Sequence, residues 1–330
     1  MIGIKKTMFL FIALASTMIP SVNATSSKTI YQNEVAVLMY HHLANNLHNL
    51  KINADTIPTS LFNSQLSYLQ QNGFDFITLR QFINYLNGGS VPPNAVLVTF
   101  DDGYESFDKL AYPILKSKRI PSVDFVVTSA TDNKHFGYIP HMTHQELEQV
   151  TADSMTEVQC HTNNLHYLVD KRHDALTAFL KINGKRETME QYQKRILNDI
   201  HLCKQQLEPI NHSPIDTFAY PYGIHDQKSE NLLHQSDIHY AFTVKDGMAT
   251  RNTNLMEIPR INGGNPFITA ADLKENILMA ANPYGKSALI RKAKLFAKQL
   301  PHHKSFWVLC FLVLMLIGFK GYKKFQNQRS

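Results

Sequence analysis

Cysteine is scarce in this sequence: three in 330 residues, at positions 160, 203 and 310. So low a count excludes a small fold stapled by a disulfide framework. Cys310 falls in an apolar run; Cys160 and Cys203 could form one disulfide, and free buried thiols are the favoured expectation. Internal repeats and long low-complexity stretches are absent too, so neither a repeat array nor a long unfolded tract is expected. Excess charge is also missing once the two ends are set aside. Of 33 Lys and Arg, two precede residue 25 and four follow residue 319. The rest equal in number the 27 Asp and Glu, all of which lie between. The formal net charge of +6 therefore resides in the ends, and no nucleic-acid surface is implied.

The ends read as targeting segments. Lys5 and Lys6 precede an apolar stretch from Met8 to Ile19, and Val22-Asn23-Ala24 offers small residues suited to signal cleavage. Residues 306–319, FWVLCFLVLMLIGF, hold no charged side chain and are closed by Lys320, Lys323, Lys324 and Arg329. Such a run approaches the ~20 residues of a spanning helix, and its basic flank predicts a cytoplasmic C-terminus. The expected organisation is a signal peptide at 1–24, a catalytic-sized domain at 25–281 and a linker at 282–304. A transmembrane helix at 305–322 and a basic tail at 323–330 follow. That arrangement makes a single-pass protein of the cell membrane with its domain outside the cell.

Between the ends, short β-rich runs alternate with helical patterns. Strands are expected at 35–40, 96–100, 123–127, 156–160, 218–220, 240–244 and 257–261. Helices are expected near 60–72, 105–118, 143–150, 187–208, 226–236 and 270–281. This alternation implies an α/β fold with a parallel sheet or barrel. Runs such as Val96-Leu97-Val98-Thr99-Phe100 suit strands buried on both faces. The less periodic stretches 41–59 and 167–186 are expected to be surface loops bordering the site.

Four of these strands run into chemically capable residues. Thr99-Phe100-Asp101-Asp102-Gly103 ends an apolar strand in two carboxylates that repel each other unless something positive lies nearby. Read alone, Asp102 serves equally well as the N-cap of a helix starting near Tyr104. His161 and His166 follow the strand at 156–160, five residues apart. They could meet one metal ion if the chain turned between them, or be unrelated loop histidines. Phe218-Ala219-Tyr220-Pro221-Tyr222-Gly223 is a strand entering a turn, and Val37-Leu38-Met39-Tyr40 ends in His41 and His42.

Taken together and in order, YHH, TFDDG, HTNNLH and AYPYG resemble the NodB-like polysaccharide deacetylases of carbohydrate esterase family 4, over about residues 35–265. The YHH segment and the histidine spacing look most like the branch acting on poly-β-1,6-N-acetylglucosamine in biofilm matrix. The resemblance implies a distorted (β/α) barrel. It also implies a divalent metal, zinc first and cobalt or nickel next, held by Asp102, His161 and His166. Asp101 is then the general base and His41 the general acid. The Tyr222 backbone N–H, after Pro221, faces the developing oxyanion. Arg260 takes the place of a basic residue that pairs with the base, because the Arg-x-x-x-Pro-Tyr form of the third motif is lacking: Thr217 stands four before Pro221. His41 is expected across the bound substrate from Asp101. The implied partner is an N-acetylated polysaccharide, poly-N-acetylglucosamine ahead of peptidoglycan or chitin oligomers. A membrane-anchored glycan-binding protein without catalysis is the alternative of another class.

Overall fold

A computed structural model describes residues 29–47 and 55–285. The leader, the apolar segment 306–319 and the basic tail lie outside the described residues, as does nearly all of the linker. Among the described residues no helix is long and apolar enough to cross a membrane.

Six parallel strands form the main path of a nine-stranded sheet: β1 Glu34–Tyr40, β2 Ala95–Asp102, β3 Ser122–Val126, β4 Thr156–Cys160, β5 Thr217–Ala219 and β6 Tyr240–Phe242, with the short strand Asp75–Phe76 added beside β2. The six lie side by side in chain order. Two short strands, β7 Ala249–Thr250 and β8 Ile261–Asn262, both pair with β1, the first antiparallel and the second parallel. Ile258 bridges Phe242 of β6, three residues before β8 joins β1. The segment 258–262 thus reaches both edges of the sheet, which curls into a half-barrel.

Side chains of each strand alternate between two apolar environments. Val35, Val37, Leu97, Val123 and Phe125 point inside the curl and pack with Phe242 and Ile258. Ala36, Leu38, Val98, Val126, Val158 and Phe218 face outward, beneath the helices. The helices are α1 Thr59–Gln71, α2 Leu79–Leu86, α3 Tyr112–Lys118, α4 His144–Thr151, α5 Met189–Leu207, α6 Gln227–Gln235 and α7 Ala270–Ala281. Thr78, Thr143, Thr188, Asp226 and Thr269 open α2 and α4 to α7 with reciprocal capping boxes, which satisfy the orphan N–H groups of the first turn.

Three expectations need correction. Helix α2 lacked a counterpart in the sequence reading. It is eight residues long, and its buried Phe82 stacks on Phe242 inside the curl. The strand expected at 257–261 shrinks to Ile261–Asn262 because Pro259 has no N–H for a ladder. Cys160 and Cys203 are a disulfide, not free thiols: β4 and α5 bring their Cα atoms to 6.0 Å, within bonding range.

Candidate active site

The C-terminal ends of β1, β2, β4 and β5 open onto one cavity of about 630 Å³. Strand ends are where parallel α/β folds collect chemistry, because the loops that follow them are free to vary. His41 follows β1, Asp101 and Asp102 end β2, His161 follows β4, and Tyr222 lies just beyond β5. All five line the cavity, as does His166.

Asp102, His161 and His166 each present a ligand atom, and the three atoms lie within 4.8 Å of one another. Asp102 Oδ1 is 3.5 Å from His161 Nε2 and 3.2 Å from His166 Nε2. That oxygen is buried and has no hydrogen-bond partner, an expensive condition unless a cation takes it up. His161 Nδ1 meets the Ala219 carbonyl at 2.7 Å. The carbonyl can only accept, so Nδ1 carries a hydrogen and Nε2 is the ring nitrogen left to face Asp102, available to a metal when it carries no proton. An acid oxygen and two imidazole nitrogens suit zinc and its neighbours, so the residues present fit a divalent metal.

The charges are tuned accordingly. Burial works to raise the Asp102 pKa, but His161, then His166 and His41, outweigh it and hold the carboxyl far below its usual range. Burial, then the neighbouring His161, lowers the His166 pKa to about 4, which leaves this imidazole neutral at ordinary pH. His161 goes the other way: burial lowers its pKa, yet Asp102 and Asp101 together raise it above the usual value.

Asp101 is buried beside this group. Arg260 grips it through two bonds, Nη1 to Oδ1 and Nη2 to Oδ2, both 2.7 Å. Arg260 is itself 1% exposed. It donates from Nε to the Thr243 carbonyl at 2.9 Å and lies over the Phe125 ring. Burial would raise the Asp101 pKa, but the Arg260 guanidinium holds it below the usual carboxylate value.

His41 differs from expectation. Its Nε2 lies 3.6 Å from Asp101 Oδ2, so the ring sits beside Asp101 rather than across the cavity from it. The reason is register: Tyr40 of β1 pairs with Phe100 of β2, so the next residues on the two strands are neighbours. His42 packs on Tyr104 and reaches Thr56 instead of lining the cavity.

Three site residues hold left-handed backbone: Asp102 at φ 79°, Thr162 at 73° and Tyr222 at 57°. Such conformations cost ~1–3 kcal/mol each and gather at working sites. Gly223, at φ 69°, lets the chain pass against Val244; a Cβ there would collide with a Val244 methyl.

Several lining residues escaped the sequence reading. Tyr104 and His141 stack at 4.8 Å and form one wall, and Tyr138 stands 85% exposed on the same rim. Asp55 lines the cavity as well. Asp124, fully buried on β3, sits behind the carboxylate pair. Burial, then the charges of Asp101 and Asp102, push its pKa well above the usual value. Tyr104 follows the DDG turn directly and could have been flagged by adjacency; Asp55, Asp124, Tyr138 and His141 carry no such signal.

A curled parallel sheet with this cluster at its C-terminal ends defines a class. Residues 88–241 match the Polysaccharide deacetylase family. It is 28% identical over 240 residues to the poly-beta-1,6-N-acetyl-D-glucosamine N-deacetylase of Staphylococcus aureus strain MSSA476, covering 70% of this chain and 79% of that one. The Staphylococcus epidermidis protein of the same name is 26% identical over 200 residues, covering 61% and 65%. The solved structure of IcaB from Ammonifex degensii superposes with a TM-score of 0.60 at 25% identity, over 76% of this chain and 97% of that one.

Proposed function

We propose that this enzyme removes N-acetyl groups from an extracellular poly-β-1,6-N-acetylglucosamine of a biofilm matrix, releasing acetate. The observation that carries this reading is the convergence of Asp102, His161 and His166 beside an Arg260-paired Asp101, in a chain whose named relatives deacetylate that polymer. A divalent ion held by Asp102, His161 and His166 would acidify a water and polarise the acetyl carbonyl.

The chain's own groups do the rest. Asp101, kept ionised by Arg260, accepts the water proton on a carboxylate lone pair that the guanidinium leaves free. The Tyr222 backbone N–H donates to the oxygen on which negative charge develops. His41 hands a proton to the departing amine nitrogen. Its place beside Asp101 allows the proton taken at the first step to serve the second.

Purified protein should release acetate from poly-β-1,6-N-acetylglucosamine, and a chelator should stop it. Release from peptidoglycan or chitin oligomers alone would overturn the substrate, and unchanged release after the metal is stripped would overturn metal dependence.

His41→Ala should keep the metal and lose most turnover on amides, typically ~10²–10⁴-fold for a lost acid or base. An activated ester needs no proton at departure and should suffer far less. His42→Ala should stay near normal on both. The reverse pattern would move the acid to His42.

The enzyme is placed at the cell membrane, domain outside and tail inside, on the strength of the apolar run 306–319 and its basic flank. Protease added to intact cells should remove the domain; full protection would overturn this topology.

A further inference from the structure

The loop bearing His161 and His166 turns on Thr162, a buried β-branched residue in the left-handed region. Such a conformation persists only where the surroundings over-determine it. Here they do so from two sides. The Thr128 and Ser129 N–H groups donate to the carbonyls of Thr162 and Asn163 at 3.2 and 2.9 Å. From the other side, one face of α5 presents Asp199, Cys203 and Gln206, spaced four and three residues apart. The Asp199 carboxylate accepts from the Asn163 N–H through Oδ1 and the Asn164 N–H through Oδ2, both at 2.8 Å. Gln206 Nε2 donates to Asn163 Oδ1 at 2.9 Å. Cys203 is bonded to Cys160, the residue immediately before His161.

We propose that this face of α5 is a positioning clamp for the metal. Asp199 and the Cys160–Cys203 bond hold the 160–164 segment in its turned form before any ion arrives, so that the Nε2 atoms of His161 and His166 already face Asp102. The inference rests on the reading that these three residues take the metal. Without the clamp, Thr162 relaxes to negative φ and His166 swings away from Asp102, so part of the binding energy is diverted to rebuilding the turn. A disulfide persists in oxidising compartments, so the clamp is complete only where the enzyme is proposed to work, and the metal site is weaker in a reducing one.

The test measures zinc affinity of metal-free full-length protein by competition with a chromogenic chelator. Asp199→Asn keeps the side-chain shape but turns an NH2 towards one of the two N–H groups. It and the double variant Cys160→Ala/Cys203→Ala should bind zinc about 10–100-fold more weakly, the range for supports of metal ligands. Leu66→Ala opens a cavity on α1, far from the loop, and serves as the comparator for simple destabilisation. It should leave zinc affinity unchanged, and circular dichroism confirms that each variant is folded. Wild-type affinity in folded Asp199→Asn would overturn the clamp. So would an equal loss in Leu66→Ala, which would reduce the effect to general stability. In the metal-free wild type, the Asn163 and Asn164 amides should exchange hydrogen as slowly as those of β4; exchange at open-loop rates would overturn the proposal with no variant needed. Should wild-type protein itself bind no zinc, the metal reading fails, while the exchange rates still decide whether the loop is held.

Discussion

His161→Ala and His166→Ala should each lose metal and turnover together. With one imidazole gone, Asp102 and a single histidine remain, and two ligands do not define a tetrahedral site with room for water and substrate. The loss should exceed the ~10–100-fold typical of residues that merely support a ligand. The two variants should differ in stability. His161 is buried and bonded to the Ala219 carbonyl, so its removal opens a cavity and orphans an acceptor. His166 lies at the cavity mouth with its side chain 19% exposed, and its loss should leave the fold largely intact. Metal content by mass spectrometry, with acetate release on the same samples, checks both. A folded variant with one metal per chain and full turnover would remove that histidine from the ligand set.

The second large effect is expected at Asp101. Asp101→Asn should retain the metal and lose ~10²–10⁴ in turnover, because an amide cannot take the water proton. It should also cost stability. Arg260 would be left charged, buried and facing a neutral amide, and breaking such a pair typically costs ~3–5 kcal/mol. The double variant Asp101→Asn/Arg260→Met separates the two consequences. Replacing both partners with uncharged groups should restore much of the thermal stability and none of the turnover. Restoration of both would make Asp101 a structural anchor, and near-normal rates in the single variant would remove it as the base.

The pairing of Asp101 with Arg260 also has a chemical consequence. A guanidinium on both oxygens keeps the carboxylate ionised across the working pH range but lowers its basicity. In the proposed reaction an acidified water would be needed to match it, which would tie the role of Arg260 to the metal ion proposed at Asp102, His161 and His166. In that proposal Arg260 is a positioning residue, acting on substrate only through Asp101.

The strands most legible in the sequence are β1 to β4. All four are buried on both faces; β1 and β2 read as near-continuous apolar runs, whereas β3 carries Asp124 and β4 carries Glu157 and Gln159 within theirs. The helices at 189–207 and 270–281 were legible from period and caps. Legibility failed where tertiary contact decides. Helix α2 has local marks of its own, the Thr78–Gln81 capping box and apolar residues at helical spacing, but at eight residues they are brief, and its apolar face is held by filling the inside of the curl. The disulfide was opaque because a spacing of 43 residues says nothing of distance until β4 and α5 are packed.

The chain alone determined which residue types stand at which strand ends: a carboxylate pair after one apolar run, histidines after two others, and a Pro-Tyr-Gly turn after a fourth. Those facts are local, and a parallel sheet in chain order carries all such ends to one rim. Tertiary structure decided how they meet. It brought Arg260 onto Asp101 across 159 residues and set His41 beside Asp101 through the register of β1 on β2. It stacked Tyr104 on His141 as a wall of the cavity and fastened the His161–His166 loop to α5. Distances between residues so far apart in the chain depend on sheet curl, strand register and helix packing, which are collective properties of the folded core and leave no local mark on the residues they bring together.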